Sequence, residues 1–431
     1  MSHRPAEQKS LPYRIRVRIA AWVIGAVFAV AVGLGYGIRD SFTLPVMGEA
    51  AGIVAIVFIV ASLVLMLRLP SLARVCGGLE TMYSLHRGVG LAGYGFALLH
   101  PVLLAWNTGW EVLAFANKDI GFRSGWTAVL VLMVVLVCTF ILKKHGYAIW
   151  RRLHTLSTVA LLAMFWHVLA YQSDLPLAGK VALSALLVIG IAIPFARHFL
   201  IDRGLLSSRY VVGSIAYPTN DVIDIELAPL GRPLPVHPGQ FLFTRFDSNG
   251  DYAGCGHFHP FTASEVMPDG RVRLSIKASG PCTLEMQRVV PGTPARLQGP
   301  FGELFQNVRQ DTQVWIAGGI GITPFLARAR ALDSQHVPVR LFYFVDSIND
   351  AAYVESLEAL ARAKPNLTVH CAATHKTPAL VCSIFDALLP PWNDKHYVLC
   401  GSDRFTAFVR DYLADHKVKP TAISEERFEF R

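Results

Sequence analysis

Four histidines, His86, His100, His154 and His167, stand inside long apolar stretches of the sequence. An ionisable side chain is costly there and is a functional candidate by default. His86 and His100 are 14 residues apart. On an α-helix that spacing returns them to within about 40° of one face and separates them by about 21 Å along the axis. His154 and His167 are 13 apart, which leaves them about 140° out of phase on an ideal helix. Local overwinding, or different rotamers, must turn both toward one cleft. On helices running the same way, His86 faces His154 at one depth and His100 faces His167 at another. Neutral imidazole is an ordinary axial ligand of haem iron, so the pairs read as two stacked bis-histidine haem sites. The competing reading, buried histidines bonded to Ser, Thr or backbone, fits a lone residue better than four at matched depths.

The elements that position them are apolar spans. About 20 mostly apolar residues cross a hydrocarbon core, and six segments qualify: Ile19–Ile38, Val46–Leu67, Tyr83–Ala105, Gly125–Leu142, Ile149–Tyr171 and Ala178–Phe199. Pro101 and Pro194 are tolerable in packed membrane helices. Lys and Arg set the orientation. The N-terminal arm (Arg4, Lys9, Arg14, Arg16, Arg18) and the loops holding Arg68, Arg74, Lys143, Lys144, Arg151 and Arg152 carry eleven; the opposite loops carry four. That bias places both termini in the cytoplasm of a multi-pass protein of a bacterial inner (plasma) membrane. Gly88, Gly90, Gly93 and Gly95 lie between the histidines of the third span and admit either a flat macrocycle or a packed helix. Arg87, Arg151 and Arg152 at the inner end suit haem propionates and suit plain positive-inside anchors equally well.

This membrane half resembles the ferric reductase and NADPH oxidase family, which has six spans, a 14-spaced histidine pair on the third and a 13-spaced pair on the fifth. The resemblance covers the 13-residue spacing that helix arithmetic leaves unexplained.

After Arg203 the pattern changes to short alternating runs broken by Pro and Gly: Arg209–Ala216, Val222–Leu227, Gly239–Arg245 and Arg271–Ala278. These predict a small antiparallel barrel. Within it stands His259-Pro260-Phe261-Thr262-Ala263-Ser264, with a rigid turn residue, an aromatic that packs a flat ring, and hydroxyls. Lys277-Ala278-Ser279-Gly280-Pro281-Cys282-Thr283 follows. Gly280 would let backbone N–H groups approach a pyrophosphate, and Thr283 adds a hydroxyl. Gly299-Pro300-Phe301-Gly302 closes the module. In this order the three motifs resemble the FAD domain of the ferredoxin reductase superfamily. The resemblance implies that the first motif, here His259, Pro260, Phe261, Thr262 and Ser264, holds the isoalloxazine and ribityl. The second, here Lys277, Gly280 and Thr283, would hold the diphosphate. Pro281 and Cys282 depart from the family pattern.

A buried strand, Gln313–Ala317, runs into Gly318-Gly319-Ile320-Gly321-Ile322-Thr323-Pro324-Phe325 and then a helix. Strand, glycine turn and helix start form a phosphate cradle. Thr323 is expected to cap the helix and Pro324 to take its first position. Alternating strands and helices continue through Val339–Val345, Ala351–Ala363, Leu367–Ala373, His396–Leu399 and Phe405–His416, a small doubly wound sheet. Tyr397-Val398-Leu399-Cys400-Gly401-Ser402 resembles the superfamily's late Cys-Gly-Pro motif. That implies Cys400 beside the nicotinamide ring and Gly401 in the turn, with Ser402 in place of Pro. The resemblance also implies a late aromatic stacked on the flavin; Phe428 is assigned to it and Phe430 is the fallback. Asp346, after the second strand of the sheet, would repel a 2′-phosphate and accept from a ribose hydroxyl, which favours NADH over NADPH.

The expected organisation is therefore a six-helix all-α transmembrane bundle (1–200), an antiparallel FAD-binding β-barrel (201–308) and an α/β doubly wound NAD(P)-binding domain (309–431). Cofactors are FAD, two b-type haems and NADH or NADPH. A nicotinamide gives two electrons as hydride, haem takes one at a time, and FAD converts between them. The acceptor at the outer face is O2, a ferric chelate or a periplasmic redox partner, and the short outer loops do not choose among them. Two other readings are a haem-free anchor for a cytoplasmic flavin reductase and a haem-containing sensor without turnover. Net charge +9 reflects topology and not a nucleic-acid stripe. Seven Cys without a CxxC pair argue against a disulfide framework or structural zinc site, and the five in the later half fit a reducing compartment.

Overall fold

The computed structural model describes residues 44–113, 119–142, 147–171, 177–250, 252–306, 308, 312–333, 337–347, 350–374 and 377–426. The expected first span Ile19–Ile38 lies outside them, as do Phe428 and Phe430. The chain forms two compact units, which part in sequence between Arg203 and Gly204.

The first unit is helical: α1 (Leu44–Val64), α2 (Pro70–Cys76), α3 (Leu79–Thr108), α4 (Ile120–Leu142), α5 (Tyr147–His154), α6 (Ser157–Tyr171) and α7 (Leu177–Ala196). Among the described residues five stretches are long and apolar enough to cross a membrane: Met47–Val64, Leu79–Trp106, Ile120–Leu142, Ile149–Tyr171 and Leu177–Asp202. Five of the six expected spans fall on them. Packing places α1 against α3, α4 against α6, and α7 against both α1 and α6. Ile59, Val60, Ala128, Leu161, Met164 and Leu187 share one core. Phe140, Ile141, Val181 and Phe195 point outward and are more than half exposed (73%, 62%, 60% and 55%). An apolar outer face of this kind suits lipid and not water.

The fifth span is not one helix. α5 stops at His154 and α6 starts at Ser157. Between them the backbone tightens to i→i+3 bonds: Thr155 N–H to Arg152, Leu156 to Leu153, Thr158 to Thr155 and Val159 to Leu156. The Thr155 and Ser157 hydroxyls donate to the Arg152 and His154 carbonyls. Such a turn winds about 20° further per residue than an α-helix. A few residues of it remove much of the phase error between His154 and His167, which is the overwinding that the 13-residue spacing requires.

The second unit opens with a closed barrel of β1 (Ser208–Thr219), β2 (Val222–Pro229), β3 (Phe241–Phe246), β4 (His259–Val266), β5 (Val272–Lys277) and β6 (Pro294–Phe301), in the order β1-β2-β5-β4-β3-β6. Every pairing is antiparallel. Tyr210, Ile223, Ile225, Leu242, Leu274 and Leu297 fill it. The His259 motif and the approach to Gly299, legible in sequence only as ligand segments, are themselves strands. A short helix, α8 (Pro281–Glu285), follows β5.

A parallel sheet follows, built from β7 (Thr312–Gly318), β8 (Val339–Val345), β9 (Leu367–Ala373), β10 (Lys395–Cys400) and β11 (Ile423–Glu426), in the order β11-β10-β7-β8-β9. Its helices are α9 (Thr323–Arg330), α10 (Val354–Ala363), α11 (Pro378–Leu388) and α12 (Asp403–Asp415). Buried apolar strand runs such as Val314–Ala317 are what a sheet covered on both faces demands. Barrel and sheet share a core in which Val222 and Leu304 join Trp315 and Phe325. Arg330 donates to the Ser264 carbonyl at 2.8 Å, and the Tyr353 hydroxyl donates to Asp224 at 2.6 Å. Burial first, then the Asp224 carboxylate, pushes the Tyr353 phenol up, so it remains a donor at any working pH.

The cysteines depart from expectation. Cys255 and Cys282 form a disulfide across 27 residues of sequence, and with His259 they make a cluster of metal-ligating atoms. Spacing gave no sign of it, because the antiparallel pairing of β4 with β5, not a local motif, brings the loop before β4 against α8.

Candidate functional site

The four membrane histidines meet in two pairs. The ring centroids of His86 and His154 lie 6.4 Å apart, and those of His100 and His167 lie 6.1 Å apart. Two metal–nitrogen bonds of about 2 Å each, plus the half-widths of two imidazoles, span about 6 Å. Each pair therefore fits one iron held between two rings.

Neighbouring helices aim three of the rings. His86 Nδ1 lies 2.9 Å from the Ser62 carbonyl and 2.8 Å from the Ser62 hydroxyl on α1. His100 Nδ1 lies 2.7 Å from the Gly48 carbonyl on α1, and His167 Nδ1 lies 2.9 Å from the Gly121 carbonyl on α4. A carbonyl only accepts, so Nδ1 carries the proton in each case, and the Nε2 lone pair is left for a metal. His154 Nδ1 is buried and has no hydrogen-bond partner among the described residues. A Cβ added at Gly52 would stand 3.0 Å from His100 Nδ1, and one at Gly125 would stand 2.7 Å from His167 Nδ1. These two glycines make the room for the rings.

The glycines of the third span divide. A Cβ at Gly90 would meet Ser62, and one at Gly93 would meet Phe58 and Ile59, all on α1; nothing lies within 4 Å of one at Gly88 or Gly95. Gly90 and Gly93 are helix-packing residues. Arg87, Arg151 and Arg152 are exposed. Arg197, not singled out by sequence, donates to the Met66 carbonyl and pairs with Asp202 at 3.7 Å. Ser62, Gly48, Gly121, Gly52 and Gly125 were also missed. A lone serine in an apolar span is a faint signal for the first, and the others carry none, since their contacts lie 42 residues or more away in sequence. Replacing Ser62 with Ala removes the hydroxyl but keeps the carbonyl that accepts from His86 Nδ1, so haem retention at the inner pair should weaken by less than about tenfold, below the usual cost of losing the partner outright. Haem titration of the apo-protein, followed in the Soret band, checks this.

In the barrel, His259, Pro260, Phe261 and Thr262 lie along β4, opposite Thr244, Phe243, Leu242 and Phe241 of β3. The Thr262 hydroxyl is buried without a hydrogen-bond partner among the described residues. That is a polar atom suited to a ligand, and it lies beside the stacked Phe241 and Phe301 rings, 5.7 Å apart. Ser264, by contrast, turns inward: its hydroxyl donates to the Arg273 carbonyl at 3.2 Å and accepts from Ser275 at 2.8 Å. The Gly280 N–H, expected to be open, donates to Thr283 Oγ1 at 2.9 Å, as does the Ser279 N–H. Lys277 pairs with Asp221 at 3.2 Å.

The nucleotide segments converge. β7 and β10 are adjacent and parallel, with Ala317 opposite Cys400. Chain order runs β7-β8-β9 to one side and β10-β11 to the other, so the β7/β10 edge is the switch point where sheets of this kind bind ligands. Gly318, Gly319, Gly321, Cys400 and Gly401 all lie there. A Cβ at Gly321 would stand 2.5 Å from the Cys400 carbonyl oxygen, and Gly319 has φ +56°. A 3₁₀ turn, Gly319–Ile322, precedes α9, so Thr323 does not cap the helix. Its hydroxyl instead donates to the Ile320 carbonyl at 3.1 Å, and Thr323 and Pro324 are buried in the first turn. Asp346 is exposed directly after β8. Glu426 of β11 pairs with Cys400, and its carboxylate lies against Gly302 of the barrel's closing motif.

The chain thus combines a helical membrane unit that holds two histidine pairs with a unit built of a six-stranded barrel and a parallel sheet. Residues 51–165 match the family model described as ferric reductase like transmembrane component. The ferredoxin–NAD(P)(+) reductase component of the naphthalene 1,2-dioxygenase system of Pseudomonas putida is 28% identical over 165 residues, 37% of this chain and 48% of the relative. Dual oxidase 2 of Rattus norvegicus is 38% identical over 82 residues, 17% of this chain and 5% of the relative. The chain thus spans under half of the first and a small part of the second. Among solved structures, the flavohemoglobin of Malassezia yamatoensis with bound FAD and heme aligns at TM-score 0.47 and 18% identity, covering 89% of this chain and 96% of that one. Residues 51–165 are thus similar to a ferric reductase-like transmembrane component, and part of the chain is similar to a ferredoxin–NAD(P)(+) reductase component.

Proposed function

We propose that this protein carries electrons from cytoplasmic NAD(P)H, through FAD and two b-type haems, to O2 or ferric iron at the outer face of a bacterial inner membrane. The observation that supports this most is the two histidine pairs, at 6.4 and 6.1 Å, with Nδ1 fixed on three of the four rings. When bound, FAD splits the hydride's two electrons and the haems relay them singly across the hydrocarbon. His86 and His154 hold the inner iron, and His100 and His167 the outer. Ser62, Gly48 and Gly121 keep the ligating nitrogens unprotonated. Thr262 and the β4 segment hold the flavin. Gly318, Gly319 and Gly321 admit the nucleotide phosphates, and Cys400 with Gly401 borders the nicotinamide. Phe428, with Phe430 as the fallback, is the aromatic assigned to cover the flavin. Delivery to the outer face requires no general acid or base.

Asp346 favours NADH. Changing it to Ala should narrow the NADH-over-NADPH preference by roughly tenfold, because a ribose acceptor and a charge opposed to the 2′-phosphate are both lost. The ratio of kcat/KM for the two nucleotides measures it. The acceptor is tested by turnover of the reconstituted protein with NADH. Superoxide-dismutase-sensitive cytochrome c reduction is the result expected for O2, and direct reduction of a ferric chelate for iron. Neither activity, with NADH oxidised only when a periplasmic extract is added as acceptor, would replace both acceptors with a protein partner.

A further inference from the structure

Cys255 closes the loop between β3 and β4, and Cys282 is the second residue of α8. Their Cα atoms lie 5.4 Å apart, and the two sulfurs are bonded. That separation lies within the usual range for a disulfide. His259 Nε2 lies 3.2 Å from Cys255 Sγ. A structural disulfide is rare in a reducing cytoplasm, where the bonds that do form are mostly catalytic or redox-sensing. Both cysteines are partly exposed, so reductants and oxidants have access. Position matters too: the bond ties the lead-in of the His259–Ser264 segment to the Gly280–Thr283 turn.

We propose that Cys255 and Cys282 are a reversible redox pair, oxidised by hydrogen peroxide, that sets how tightly the barrel holds its flavin. His259 takes the Cys255 thiol proton, since the thiolate is the nucleophile. The thiolate attacks one peroxide oxygen and the O–O bond breaks. The leaving hydroxide collects the proton from His259, giving Cys255 sulfenic acid and water. The Cys282 thiolate then attacks the Cys255 sulfur; hydroxide leaves and, with the Cys282 proton, forms a second water. Two thiols lose two electrons and two protons, and the peroxide becomes two waters. A dithiol reductant reverses the change. The closed bond fixes the two segments before the ligand arrives, so less ordering remains to be done on binding. Desolvation and Glu358 hold the thiol of Cys371 up at about 11, which leaves that cysteine a poor competitor for oxidant.

This inference rests on the reading of the barrel as the FAD site, and the test separates the two. Purified full-length protein in detergent is first assayed for bound FAD; a barrel that takes up none refutes the site reading itself. The FAD-loaded protein is then treated with hydrogen peroxide or dithiothreitol. Free thiols are alkylated and mapped by mass spectrometry, and FAD release is followed by flavin fluorescence. The expected result is loss of two alkylatable thiols, a linked Cys255–Cys282 peptide, and FAD release slowed on the order of tenfold, reversed by dithiothreitol. Cys255→Ser should abolish the linkage and the slowing together. Cys282→Ser is a second variant with the same expected result. Three outcomes overturn the proposal: both thiols still alkylated after peroxide, release rates equal in the two states, or stoichiometric zinc that protects the reduced thiols, which would make the cluster a metal site.

Discussion

Replacing His100 with Ala should leave the purified protein with one haem in place of two and stop delivery to an acceptor beyond the outer face. Reduction of ferricyanide from the flavin side should persist. The reasoning starts from the pair's geometry. His100 and His167 stand 6.1 Å apart, so removal of one ring leaves a single ligand and an opening the size of a side chain. Losing only a partner behind a ligating histidine already costs about 10–100-fold in affinity, and losing the ligand itself should cost on the order of 100-fold or more. The inner pair is held by different partners, through Ser62 and not Gly48, so its haem should remain. Haem-to-protein ratio by pyridine haemochrome, with the two activities measured on one preparation, checks the result. Two haems retained with outward delivery intact would remove His100 from the site.

The second large effect is at Gly321. An added methyl at this position would stand 2.5 Å from the Cys400 carbonyl oxygen and 2.7 Å from Gly401 Cα. The first is a backbone atom of β10, which is paired on each side with β7 and β11, and the second belongs to the residue that follows it, so neither moves cheaply. Gly321→Ala should therefore push the glycine turn away from Cys400, costing about 1–3 kcal/mol in stability and lowering kcat/KM for NADH by roughly tenfold or more. Gly319→Ala should do less: it strains the backbone at φ +56° but meets no atom within 4 Å. Haem content should be unchanged in both variants. NADH–ferricyanide kinetics and thermal unfolding of the purified variants measure these effects.

Much of this arrangement was legible in the sequence because it depends on composition over short distances. Apolar length marked the spans, the 14-residue interval marked one helix face, and the alternation around Val222 and Arg271 marked barrel strands. What escaped was set by contacts remote in sequence. Ser62 orients His86 across 24 residues, and Gly48 orients His100 across 52; no local pattern points from one to the other. The 13-residue interval looked out of phase because a uniform helix was assumed, whereas the chain tightens at Thr155–Leu156. The Gly280 turn was read as open to phosphate, yet the Thr283 hydroxyl three residues on closes it. Thr323 was read as a cap, but a preceding 3₁₀ turn moves the helix start. The Cys255–Cys282 bond depends on the register of β4 against β5, which strand patterns predict only in outline.

The central claim is that two histidine-held irons carry charge from one side of the bilayer to the other. The direct measurement uses sealed liposomes with the protein oriented so that its reductase module faces outward, NADH added outside, and an impermeant ferric chelate or cytochrome c trapped inside. The account predicts that the trapped acceptor is reduced only when NADH is present, with haem reduction visible in the Soret region. It also predicts that alanine at His86, His100, His154 or His167 ends this while flavin reduction continues. NADH oxidation supported solely by acceptors outside the vesicles, with trapped acceptor untouched, would contradict it.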